Sequence, residues 1–427
     1  MKSAALCIDK SVLQSLPAGL CTNQPKRVLL DRLKNIKHGE LILKDGGEIH
    51  IFGQRDEVFP GSITLNVTDP AFYASVLISG AMGGGQSYIH NHWQCDDLTG
   101  MVELFLCNRE YIDSTGTLIR WLFIKPYNVL QRVMRRNTLE GSRRNIEAHY
   151  DLGNELFELF LDETMMYSCG IFNNPEATLQ EASEAKLARI CDKLRLKASD
   201  HVLEIGTGWG GFAIYVARHY GCRVTTTTIS RQQYDYACQR VREAGLEDRI
   251  TLLFEDYRDL EGSYDKLVSI EMIEAIGHRY FDTFFRKCNR LLRPDGMMLL
   301  QSITISDQRY PAAKNSIDFI QRYIFPGGCL PCVSALSDSV ARMTDMRVLH
   351  MEDIGLHYAT TLRHWKNRFH ANLDRVRQLG YQERFIRMWE YYLSYCEGGF
   401  RHGAIGTVQL LLTKPLAARE LAQHPYY

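Results

Sequence analysis

The run Val202-Leu203-Glu204-Ile205-Gly206-Thr207-Gly208-Trp209-Gly210-Gly211 closes an apolar stretch and opens a helical pattern. Glycines in that setting let the backbone turn sharply and come close to a ligand. Two details turn it away from a nicotinamide dinucleotide. Glu204 lies inside the strand just before the first glycine. The second strand ends Thr225-Thr226-Thr227-Thr228-Ile229-Ser230, without the acid that would hold a ribose. Other groups are less specific. Glu271 and Glu274 stand near a strand end, open to acid-base chemistry or to plain solvation. Cys169 by itself reads as a core thiol. His90 and His92 would share one face of a strand, but only Cys95 or Asp96 offers a third ligand, so a polar loop is the better reading. Cys329 and Cys332 form a CxxC with Leu330-Pro331 between them and no second pair, which argues against zinc. No metal is expected.

These groups need elements to hold them. From about residue 200, strands and helices alternate. Strands are predicted at His201–Ile205, Arg223–Thr228, Ile250–Phe254, Tyr264–Ile270 and 297–305, with helices at 210–219, 231–244 and 279–292. Such alternation predicts a parallel, doubly wound α/β sheet, to which 346–353 and Ile405–Thr413 add two strands. The first 120 residues are strand-rich, with strands predicted at 40–43, 48–52 and Ser62–Val67. A helix over 69–79 should end at the glycine cluster 80–85. The segment 317–331 mixes Phe319, Ile320, Tyr323, Ile324 and Phe325, a packed helix and turn or a lid and apolar wall that excludes water. Cys396 either helps close the same pocket or sits in the core.

Lys+Arg and Asp+Glu both number 50 among 427 residues, a balance that argues against generic nucleic-acid binding. Twelve cysteines in a chain this long suggest free core thiols in a reducing compartment. No apolar run is long enough for a signal-peptide core or a membrane span, so a cytoplasmic protein is expected. One stretch is lopsided: between 120 and 146, Arg120, Lys125, Arg132, Arg135, Arg136, Arg143 and Arg144 face the single acid Glu140, interleaved with Trp121, Phe123 and Tyr127. It is either a solvated linker or a segment that touches anionic head groups.

Six motifs, in order, make the chain resemble the cyclopropane-fatty-acid synthases. They are His149-Tyr150-Asp151-Leu152-Gly153-Asn154 with Met166-Tyr167-Ser168-Cys169-Gly170, the glycine loop, Thr228-Ile229-Ser230 with Gln233, Asp256-Tyr257-Arg258-Asp259, 269–276, and Tyr323-Ile324-Phe325-Pro326-Gly327-Gly328-Cys329-Leu330-Pro331. The resemblance covers about 145–415. It is weaker in the first 120 residues, resting there on Cys95-Asp96-Asp97-Leu98.

The resemblance implies a Rossmann-like class I methyltransferase domain at 147–427, an N-terminal strand-rich α+β lipid-associated domain at 1–125, and a basic linker at 126–146. It implies S-adenosylmethionine held by Tyr167, Ser168, Gly206, Gly208, Thr228, Ser230, Gln233, Asp256 and Tyr257. Asp256 would accept the adenine amino group, and Tyr257 would pack on the ring. The implied reaction builds a cyclopropane ring at the cis double bond of an acyl chain in a membrane phospholipid, with bound bicarbonate as base. Cys169 and Tyr358 would contact that ion by side chain and Ile303 by backbone, and Glu274, preferred over Glu271, would orient it. The chain departs from the family twice. Thr207 replaces a common Cys, and Gln301 replaces a common His. Gln can hydrogen-bond an anion but does not titrate near neutrality, so deprotonation could differ and a methyl-branched or methylene product could replace the ring. A homodimer visiting the inner membrane surface is the expected assembly. A small-molecule methyltransferase and an inactive lipid-binding protein are the other readings.

Overall fold

The computed structural model describes residues 24–113 and 152–417. The basic segment 120–146 and residues 149–151 of the first motif lie outside the described residues. Two compact units emerge: 24–113 together with Glu383–Tyr391, and 152–382 together with 392–417.

In the first unit, β1 (Gly39–Asp45) and β2 (Glu48–Gln54) form an antiparallel hairpin closed by Gly46 and Gly47, both at positive φ as such a turn requires. β3 (Ser62–Val67) runs parallel to β1, and β4 (Trp93–Cys95) completes the order β2-β1-β3-β4. The helix expected at 69–79 ends, as expected, at the first glycine of the cluster: Gly80 is non-helical, with φ 56° and ψ −133°. A second helix resumes at once, so that the two together span Ala71–Ile89. The bend is tight: a Cβ on Gly83 would stand 1.9 Å from the Ser75 carbonyl oxygen. The acids of Cys95-Asp96-Asp97-Leu98 have local duties. Asp97 caps the helix Leu98–Cys107 by accepting from Gly100 N–H, and Asp96 accepts from Thr64 N–H. His90 faces Arg384 (3.2 Å). No group of three potential metal ligands occurs among the described residues.

The second unit is built on a seven-stranded sheet. Its strands are β5 (His201–Ile205), β6 (Arg223–Thr228), β7 (Ile250–Phe254), β8 (Tyr264–Ile270), β9 (Leu292–Ile305), β10 (Arg347–Asp353) and β11 (Ile405–Thr413), in the order β10-β11-β9-β8-β5-β6-β7. β7, β6, β5, β8 and β9 are mutually parallel, and β11 runs antiparallel between β9 and β10. Alternation with period two sorts the core onto two faces. Leu203, Leu267, Leu300 and Leu410 pack with Phe284, Phe285 and Leu336. Val202, Val268, Leu299 and Leu411 pack with Leu187, Ile190 and Phe212 on the other side. Burial on both faces explains why these strands read as continuous apolar runs. Helices leave opposite faces after β5 and β8, and a crevice opens at that switch point, where open α/β sheets bind ligands.

Candidate active site

A cavity of about 360 Å³ lies over the carboxyl ends of β5, β6 and β8. One end is made of backbone. Gly206 has φ 106° and Gly208 φ 54°, conformations that glycine adopts without strain. A Cβ at Gly206 would press within 3.2 Å of Met272. The helix Gly211–Tyr220 starts just after the loop. Thr228 donates its hydroxyl to Gln233 Oε1 (3.1 Å), which pins the polar group that stands where a ribose-binding acid would stand. Asp256 and Tyr257 line the cavity as expected. Asp256 is also clamped bidentately by Arg258, at 2.8 and 2.7 Å. Ser230 does not line the cavity; it caps the helix Arg231–Glu243. Glu204 is buried beneath the loop, takes the Thr226 hydroxyl (2.6 Å), and is pushed by burial up to about 8.

The far wall is largely apolar, with Ile320, Phe325, Leu330, Tyr392, Tyr395 and Cys396, and carries Arg309, Asp318 and Gln321 beside them. Thus part of the 317–331 segment does line the cavity, and Cys396 belongs to it. Phe319 is buried away from it. Tyr167 and Ser168 lie between the two ends. The Tyr167 hydroxyl meets that of Tyr392 (2.8 Å), and Ser168 accepts from Lys186 (3.0 Å).

At the base of the cavity the assignments change. Cys169, Gln301 and Tyr358 do converge, but on Glu271. The Cys169 backbone N–H (3.0 Å) and the Gln301 amide (2.8 Å) donate to Glu271 Oε1, and the Tyr358 hydroxyl donates to Oε2 (2.6 Å). The Cys169 thiol turns away, toward the Gly170 and Ile354 carbonyls. Cys169 and Gln301 are fully buried and do not reach the cavity; Glu271 does. The Ile303 N–H is taken by Glu274 Oε1 (2.5 Å), which also accepts from Ser302 (2.9 Å). Of the groups expected around a bicarbonate ion, the Tyr358 hydroxyl meets Glu271 and the Ile303 N–H meets Glu274, while Cys169 engages Glu271 through its backbone rather than its thiol; both glutamates line the cavity.

The polarity of the Gln301 amide is dictated from a distance. Lys193, which has only protons to give, donates to Gln409 Oε1 (2.7 Å). Gln409 must then offer its amide to Gln301 Oε1 (2.9 Å), which leaves the Gln301 NH₂ for Glu271. Gln301 and Gln409 sit opposite each other on β9 and β11.

Burial raises both glutamates. For Glu274 the value is about 8, with the nearby Glu271 adding to the effect, so it is largely protonated at neutral pH. Its Oε2 is buried and finds no hydrogen-bond partner among the described residues. For Glu271 the three donors and Lys186 oppose the rise. Lys186 is wholly buried, is lowered by burial to about 8, and supplies the local positive charge. Neither Lys186 nor the central place of Glu271 was read from the sequence. A signal existed for Lys186: it shares the apolar stripe of the helix Leu179–Leu194 with Ala182, Leu187 and Ile190.

The sheet order, with one antiparallel strand beside the parallel five, and the glycine loop define a class I methyltransferase. Residues 137–410 match the family described as mycolic acid cyclopropane synthetase, and the chain belongs to that family. It is an S-adenosylmethionine-dependent methyltransferase. It is 38% identical over 343 residues to a tuberculostearic acid methyltransferase of Mycobacterium tuberculosis, covering 78% of this chain and 79% of that protein. It is 36% identical over 353 residues to the cyclopropane-fatty-acyl-phospholipid synthase of Escherichia coli, covering 82% and 87%. A solved mycolic acid cyclopropane synthase complexed with SAH and CTAB superposes with a TM-score of 0.59 at 32% identity, over 64% of this chain and 98% of that one.

Proposed function

We propose that this enzyme alkylates the cis double bond of unsaturated acyl chains in membrane phospholipids, with a cyclopropane ring as product. The observation that carries the reading is the two-ended cavity: a backbone-built polar bed at Gly206 and Gly208 runs into an apolar wall at Ile320, Phe325 and Leu330. When bound, S-adenosylmethionine supplies an electrophilic methyl group. Gly206, Gly208, Thr228 and Gln233 would hold it, with Asp256 and Tyr257 at the adenine. Phe325 and Tyr392 line the cavity with aromatic rings able to stabilise a passing cation, and the wall would keep out the water that would trap it as an alcohol.

No helix among the described residues is long and apolar enough to cross a membrane. The proposed route to lipid is peripheral, with the basic segment 120–146 meeting anionic head groups and the N-terminal unit docking lipid or pairing two copies. Replacing Arg135 and Arg136 by Glu should weaken sedimentation with anionic vesicles; unchanged sedimentation would count against this route.

A second reading keeps the bed and the wall but changes the product. Gln301 and Glu271 together alter the deprotonation site, and a hydride shift before proton loss would leave a methylene or methyl-branched chain. Product analysis separates the two. Purified enzyme, S-adenosylmethionine and vesicles of a cis-monounsaturated phospholipid should give acyl chains one CH₂ heavier and lacking an alkene, read by gas chromatography and mass spectrometry. A branched or methylene chain would establish the second reading. No modified lipid would remove both.

A further inference from the structure

We infer that Glu271 is the enzyme's own base, a built-in carboxylate standing where an exchangeable anion would otherwise bind. The inference rests on the proposed acyl-chain alkylation. Three observations carry it. The Cys169 N–H, the Gln301 amide and the Tyr358 hydroxyl form a ring of donors, and the Glu271 carboxylate fills it with both oxygens. Among these groups Glu271 and Tyr358 reach the cavity, whereas Cys169 and Gln301 do not. The backbone at Glu271 is left-handed, φ 50°, a conformation that a side chain bears only under strain and that glycine would adopt freely. A strained residue persists where its side chain is needed.

The step balances without any added ion. The alkene's π electrons form a bond to the methyl carbon as the carbon–sulfur bond breaks, and S-adenosylhomocysteine leaves as a neutral thioether. Positive charge remains on the acyl chain. Glu271 takes a proton from the carbon just added, and the released C–H electron pair closes the three-membered ring. The carboxyl group then passes its proton to solvent. Burial, which raises Glu271, makes it a stronger base than an exposed carboxylate. Glu274, protonated close by, adds no second negative charge.

The test uses the full-length enzyme in buffers purged of carbon dioxide, then with bicarbonate restored. Wild-type turnover should be the same within about twofold in both. Glu271→Gln, which keeps the shape but not the basicity, should lose about 100-fold or more in turnover while binding S-adenosylmethionine normally by calorimetry. Glu271→Gly relieves the backbone and empties the ring of donors; its low turnover should rise at least about tenfold with added bicarbonate. A second readout needs no lipid: the ¹³C-bicarbonate NMR line should broaden with Glu271→Gly and stay sharp with wild type. A wild type that loses turnover without bicarbonate and regains it with bicarbonate would overturn the inference, as would bicarbonate binding to wild type. If wild type modifies no lipid at all, the acyl-chain reading fails. The NMR comparison still decides whether Glu271 or an ion fills the ring.

Discussion

The two ends of the cavity are built by different means. At the glycine loop the backbone makes the surface: Gly206 and Gly208 hold positive φ, and Glu204 is buried beneath them. At the base the side chains make it, with Glu271 gripped by groups from residues 169, 301 and 358. A backbone surface tolerates exchanges of side-chain chemistry but not an added Cβ. A side-chain surface tolerates neither the loss of a donor nor the loss of the charge it serves, because an unpaired buried polar group costs about 1–3 kcal/mol.

The largest effect should come from the loop. Gly206→Ala places a Cβ at φ 106° and within 3.2 Å of Met272. Calorimetry should show S-adenosylmethionine binding weakened by about 100-fold, roughly 2.7 kcal/mol. Thr207→Cys, a side-chain exchange on the same loop, should change affinity by less than about threefold, under 1 kcal/mol. Equal losses in both variants would erase the distinction between the two ends.

Tyr358→Phe tests the base of the cavity. It removes one hydroxyl and leaves Glu271 Oε2 without that donor. Unfolding by denaturant should show a loss of about 1–3 kcal/mol, and turnover should fall about tenfold, a change of roughly 1.4 kcal/mol in the barrier. The fit of Tyr358 is otherwise kept, since its ring stacks on Phe400 at 4.5 Å and phenylalanine retains that contact.

Glu274 sharpens the comparison through pH. Its folded value of about 8 lies above the roughly 4.3 of an unfolded glutamate. Stability that is fully present below the unfolded value is lost as pH rises toward 8, because unfolding releases a proton throughout that window. Glu274→Gln does not titrate. Relative to wild type, it should gain about 1–2 kcal/mol between pH 5.5 and 7.5 in denaturant unfolding. Glu204 titrates alike in both proteins and cancels. A difference that stays flat with pH would mean that Glu274 is ionised when folded.

This contrast also explains what the sequence disclosed. The loop, β5, β6, β7 and β8 are local patterns, and each was legible because strand, glycine turn and helix follow one another along the chain. The sheet class followed from their alternation. The cage was only half legible. Cys169, Gln301 and Tyr358 were named through the family resemblance, yet the partner they share, Glu271, was set behind Glu274. Nothing near Glu271 in sequence tells that residues 169 and 358 will close on it, and its left-handed backbone is a tertiary outcome. The helix from Ala71 ends at Gly80 as its glycines foretell; what the local pattern did not disclose is that a second helix resumes at once and runs to Ile89, with Gly83 packed against the Ser75 carbonyl.

The smallest effect should come from the relay behind the cage. Gln409 touches neither Glu271 nor the cavity, and acts by fixing which way the Gln301 amide points. Gln409→Met keeps the volume and removes the polarity signal from Lys193. Gln301 can then present oxygen or NH₂ to Glu271, and the oxygen-facing orientation repels the carboxylate. Because the amide can still turn the right way, the loss should be smaller than for Tyr358→Phe: about 1 kcal/mol of stability and about twofold to threefold in turnover. The pH profile distinguishes this from simple core damage. With one donor less certain, Glu271 becomes easier to protonate, so the acid limb of the turnover profile should move to higher pH in Gln409→Met. A loss of stability with an unmoved acid limb would show that Gln409 serves packing alone.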